Sequence, residues 1–81
     1  MGLPTQAEQN RASANLSQAF ADFIQDPLDP GHRDALEEAA HIYEAIHAGC
    51  TEDTALNEYR QYRRDHGTAT ERLKESNIIV G

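Results

Sequence analysis

The sequence has no tryptophan, one cysteine, one methionine, two phenylalanines and three tyrosines. The lone Cys50 excludes an intramolecular disulfide, which fits a reducing compartment. No apolar run is long enough for a signal peptide or a membrane span, so the expected location is the cytoplasm, with no membrane partner. Basic residues are scarce, seven against fourteen acids for a net charge of -7. That balance argues against coating nucleic acid or an anionic membrane, because neutralising phosphates takes a basic field. Large apolar residues are scarce too. Leu, Ile, Val and Phe together number fourteen in 81 residues, below the roughly 20% under which high charge starts to favour disorder.

Twelve alanines oppose that tendency. Alanine loses no side-chain entropy in a helix and lets neighbouring helices approach closely, so the composition favours slender helices. The length permits one helical domain, residues 1–81, with a thin core, and a domain this lean invites dimerisation or folding onto a partner. The expected fold is all-α: a small three-helix core with a short fourth C-terminal helix. Residues 1–4 read as an N-terminal arm and residues 77–81 as a C-terminal tail.

Local signals place the helices. Thr5 and Glu8 form a capping box, and Leu16, Phe20, Phe23 and Ile24 recur at helical spacing, with Ala12 and Ser13 extending the stripe. Pro27 ends that helix near Asp26. Asp29 before Pro30 opens a second helix to about Ala48, whose broad arc of Ala35, Leu36, Ala39, Ala40, Ile42, Tyr43 and Ile46 marks it as central. The opposite face carries Glu37, Glu38, His41 and Glu44, and the same spacing sets Ala45 on the polar side and turns His47 toward the apolar arc. Gly49 supplies a left-handed stop, Thr51 caps a third helix with Glu52 and Asp53 in its first turn, and Gly67 ends it. Thr68 and Glu71 form another capping box, for a helix through about Ser76 with Leu73 as its one apolar anchor. Asn77 to Gly81 is apolar and β-prone.

The candidate chemistry is sparse. Glu44 and His47 have the spacing of a carboxylate-bridged metal pair, but such a site needs a second pair and further glutamates, so no metal or other cofactor is expected. Cys50 sits before a helix N-terminus, which lowers a thiol pKa, yet Glu52 and Asp53 push it back up. The chain therefore reads as non-catalytic. Ala45, Gly49 and Cys50 resemble the turn of a helix-turn-helix motif, although Glu58 falls where that motif has an aliphatic residue. The acidic entry at Glu52 and Asp53 opposes a DNA-reading helix, which makes DNA regulation the alternative reading.

The basic residues gather late in the chain: residues 1–58 hold only Arg11 and Arg33. Arg60 and Arg64 are a like-charged pair four apart, with no acid at their preceding helical neighbours. With Tyr59, Tyr62 and Arg63 they make a candidate recognition patch, since Tyr and Arg are enriched at binding hot spots. Glu37, Glu38 and Glu44 form the complementary acidic face. The expected function is binding to a protein partner of basic character, as an adaptor or inhibitor, with homodimerisation through the opposed charges.

Overall fold

The computed structural model describes the backbone of residues 2–80 and the side chains of 2–74. Four helices follow in order: α1 (Gln6–Gln25), α2 (Pro30–His47), α3 (Glu52–His66) and α4 (Ala69–Val80). Each boundary among the first three is written in local chemistry. Thr5 Oγ1 accepts from the Glu8 N–H while the Glu8 carboxylate accepts from the Thr5 N–H, closing the expected capping box. Asp29 caps α2 by accepting from the Gly31 N–H at 2.7 Å, with Pro30 in the first turn. The α2 terminus is a full Schellman motif: Gly49 N–H donates to Ile46 O and Cys50 N–H to Ala45 O, both at 3.0 Å. Gly49 adopts φ 108°, a conformation that side chains disfavour. Thr51 caps α3, and Gly67 at φ 79° ends it.

α2 is the central helix, with α1 packed along one side and α3 and α4 against the other. The three longer helices converge at Ala12, Ile46 and Ala55, each at most 2% exposed, with Ile42, Tyr43 and Ala45 packed around them. Two alanines and one isoleucine make a narrow junction, which is how alanine-rich helices come close. On α1 the buried and half-buried apolar positions are Ala12, Leu16, Ala19 and Phe23. Phe20 and Ile24 were expected in that stripe, yet they stay 53% and 59% exposed. The small Ala19 takes the seam in their place, rotating both large side chains to its flank.

The opening turns of α1, polar apart from alanines, are held by a carboxylate that serves two helices. Glu8 Oε2 accepts from the Glu52 N–H at 2.6 Å while Oε1 holds Thr5. Arg11 forks onto Glu52 through Nε at 2.8 Å and Nη2 at 3.1 Å. The Glu52 and Thr5 backbone N–H groups hold the Glu8 carboxyl below its ordinary pKa. A depressed carboxylate contributes stability that is present at neutral pH and lost as pH falls through the folded-state value. Glu8→Gln, which keeps one acceptor oxygen in place of two, is therefore expected to lower Tm at pH 7. The difference from the parent should vanish in acid, below the usual glutamate range, and Tm measured across pH checks it.

The fourth helix is anchored differently from expectation. Its capping box is present, with Thr68 N–H donating to Glu71 Oε1 and Glu71 N–H to Thr68 Oγ1, both at 3.2 Å. Leu73, however, is 44% exposed. α4 is tied to α2 by polar bonds: Asp34 accepts from the Thr70 N–H (3.0 Å) and hydroxyl (2.9 Å), and Arg72 pairs with Glu37. The backbone helix continues past Ser76 to Val80, where an apolar tail was expected. Docking of Ile78 to Val80 falls outside the described side chains.

Candidate functional site

The face of α2 expected to be solvent-facing is the one that receives α3 and α4. His41 is half buried, its ring 5.3 Å from Tyr59 and 4.6 Å from Tyr62. His47, expected to turn inward, is exposed and lies 4.2 Å from the Tyr43 ring. Ala45, expected on the polar side, packs against the helix junction. The reason is physical: α3 brings tyrosines rather than aliphatics to α2, so polar, flat and small partners line the seam.

This seam divides the expected recognition patch. Tyr59 is 4% exposed, with its hydroxyl donating to Glu37 Oε1 at 3.4 Å. Burial, followed by the nearby Glu38 charge, raises its pKa above the ordinary tyrosine value, so the phenol stays neutral. Tyr62 is half buried between His41 and His66, with the Arg72 guanidinium 5.5 Å above its ring. Both tyrosines are engaged in packing. Glu37 is engaged too, holding Arg72 and Tyr59 together. The polar chain Tyr59–Glu37–Arg72 fastens α3 and α4 to α2 beside the Ala55–Ile46 contact and the Thr70–Asp34 bonds.

The remaining sequence-marked residues lie on three separate surfaces. Arg60, Arg63 and Arg64 are exposed and surround a hollow closed by Thr68 and Glu71. Glu44 and Glu58 rim a second hollow over His41, Tyr59 and Tyr62. Glu38, half buried, lies on the rim of a third. That third feature was missed from sequence. It is a groove of ≈ 280 Å³ between α1 and α2, floored by Ala12, Ala19, Ala39 and Ile42, with the exposed Ala35, Asn15 and Gln18 and the half-buried Asp22 and Glu38 completing its lining. Its signal was present in the alanines at 12, 19 and 39, which periodicity scores as weak hydrophobes rather than as the floor of a channel.

Two further features have structural explanations. Asp26, Asp29 and His32 bring one ligand atom each within 4.8 Å of one another. Asp29 spends one oxygen on capping Gly31 and faces His32 at 3.8 Å with the other, so helix capping accounts for two of its three members. Cys50 is half buried, its backbone closing the α2 terminus. The first turn of α3, which a helix-turn-helix protein would present to DNA, is packed against α1. Its Glu52 N–H is taken by Glu8 and its Glu52 carboxylate by Arg11. The arginines of α3 stand at the other end of the helix.

Compared with protein-family models, curated proteins and solved structures, the chain matches none. No helix among the described residues is long and apolar enough to cross a membrane.

Proposed function

We propose that this protein acts by binding, without chemistry of its own, and that the alanine-floored groove between α1 and α2 receives a basic amphipathic helix from a partner protein. The groove itself is the observation that carries this reading. Small residues along its floor let a foreign backbone approach closely, as helix-in-groove recognition requires. Asp22 and Glu38 on the rim supply charge for basic residues on the incoming helix. An adaptor or inhibitor role for an acidic chain follows, with the partner's basic surface as the masked element.

A photo-crosslinker placed at Gln18, on the rim, is expected to capture a protein from the native host, whereas one at the exposed Asp53 captures none. Mapping the crosslink to a basic helix supports the proposal, and equal capture from both positions overturns it. Asp22→Lys combined with Glu38→Lys is expected to weaken the captured complex at least roughly tenfold, since like charges replace attraction at the rim.

In this proposal a second copy of the chain covers the exposed Phe20 and Ile24 of α1 and Leu28 of the loop that follows it, the last being 85% exposed. The motivation is area. The accessible surface is 5560 Å², against about 4,900 Å² for a folded monomer of this mass. Phe20, Ile24 and Leu28 supply exposed apolar area for such an interface. The radius of gyration of 14.0 Å likewise exceeds the ~12 Å of a compact chain this long. Light scattering after size exclusion should give a dimer that Phe20→Glu with Ile24→Glu converts to a folded monomer. A parent that remains monomeric at high concentration excludes the second copy.

A further inference from the structure

We infer that the hollow at the junction of α3 and α4 is a binding site for a dianionic phosphomonoester group, held by Arg60, Arg63 and Arg64. These are three of the chain's seven basic residues, and they line one hollow of ≈ 460 Å³ together with Thr68 and Glu71. Among the described residues none of the three is paired with a carboxylate. Arg64 Nη1 donates to the neutral Gln61 Oε1 at 3.3 Å, and Arg63 lies 6.0 Å from the Tyr59 ring. In a chain with twice as many acids as bases, three unpaired guanidiniums around one concavity repel each other unless an anion joins them.

Competing uses of these arginines are already filled by other residues. The carbonyl of Gly67, at the elbow beyond α3, accepts from Arg72 Nη1 at 2.9 Å. The α4 first turn has its own acceptors, with Thr70 bonded to Asp34 and Thr68 to Glu71. The guanidiniums, rather than the helix N-terminus, therefore carry the site. Glu71 is the one acid in the lining, and its Oε1 is held by the Thr68 N–H and hydroxyl at 3.2 and 3.1 Å. Three positive charges less that one leave a formal +2, the complement of a dianionic phosphate. Arginine forks match phosphate oxygens in bidentate geometry, and a phosphomonoester carries up to two charges where a phosphodiester carries one. The group could come from a phosphorylated side chain of a protein or from a free phosphorylated small molecule, and the chemistry is common to both.

The test is calorimetry and 15N-edited NMR on the full chain with inorganic phosphate, with a phosphoserine peptide and its unphosphorylated parent, and with a short DNA duplex. Sodium chloride at matched ionic strength is the control. Phosphate is expected to shift the amides of residues 60–71, where chloride does not, and the affinity of the phosphoserine peptide should fall as pH drops through its second phosphate pKa of about 6. Arg60→Gln with Arg64→Gln should cost roughly tenfold or more in affinity. Circular dichroism checks that this exposed pair of changes leaves the helices intact. Glu71→Gln, which preserves the capping box, is expected to tighten binding severalfold by removing the opposing charge. A phosphopeptide that binds far tighter than phosphate assigns the source to a protein; parity with inorganic phosphate assigns it to a small molecule, and both support the site. Chloride reproducing the shifts, affinity indifferent to the arginine changes, or a duplex outbinding both phosphate probes overturns it.

Discussion

Replacing Ile46 with alanine is expected to cost about 2–5 kcal/mol, the range for emptying a buried aliphatic site. Ile46 is the largest fully buried side chain among the described residues, 1% exposed at the point where α1, α2 and α3 meet. Its fully buried neighbours there are Ala12 and Ala55, which have no atoms to spare for filling the space left behind. A domain of this length has roughly 4–12 kcal/mol in total, so the substitution removes a large share of it. Urea unfolding should show a much lower midpoint with an unchanged slope if the same surface is exposed on unfolding. A loss below about 1 kcal/mol would mean that the helices are held elsewhere.

The second large effect is expected at Arg72. Arg72→Ala removes the ion pair to Glu37 and the bond to Gly67 O, leaving a Glu37 side chain that is only 16% exposed without its counter-ion. Fully buried pairs cost about 3–5 kcal/mol when one partner is removed, and the one-third exposure of Arg72 reduces that to about 2 kcal/mol. The loss should be local before it is global. Amides of residues 69–74 are expected to lose hydrogen-exchange protection while those around Ile46 keep theirs. Glu37→Gln should be milder, because an amide oxygen still accepts from the Tyr59 hydroxyl. Equal and uniform loss of protection along the chain would contradict this division.

The boundaries of the first three helices and the start of the fourth were legible because their chemistry spans only three or four residues. Thr5 with Glu8, Asp29 with Pro30, Gly49, Thr51, Gly67, and Thr68 with Glu71 all function at the positions where the sequence places them. The central place of α2 was legible from the breadth of its apolar arc. What the sequence did not disclose lies in pairings across long separations. Glu8 reaches a residue 44 positions away, Thr70 one 36 away and Arg72 one 35 away. Helical periodicity measures how apolar a face is; it carries no information about what arrives opposite. His41 and Glu37 were assigned to solvent on polarity alone, whereas α3 delivers Tyr59 and Tyr62 to that face and makes polar partners suitable there. The groove escaped notice for a related reason. Its floor of alanines is weakly hydrophobic residue by residue and becomes a surface only when α1 and α2 are side by side.

The separation of surfaces also revises how charge is used. An acidic face and a basic face on opposite helices suggested simple self-complementarity. In the folded chain Glu37 is consumed internally, Glu38 edges the α1–α2 groove, and Arg60, Arg63 and Arg64 gather at the α3–α4 junction. The two proposals place recognition on chemically distinct surfaces, a groove for a cationic helix and a hollow for a phosphate group. They can be disabled independently.

That independence supplies the most direct test of the groove as the binding surface. The affinity of the partner captured at Gln18 should be measured for the parent, for Asp22→Lys with Glu38→Lys, and for Arg60→Gln with Arg64→Gln. Recognition by the groove requires at least a roughly tenfold loss with the acidic pair reversed and a change within about twofold with the arginines neutralised. Binding that survives the reversal of Asp22 and Glu38 but disappears with Arg60 and Arg64 would contradict it.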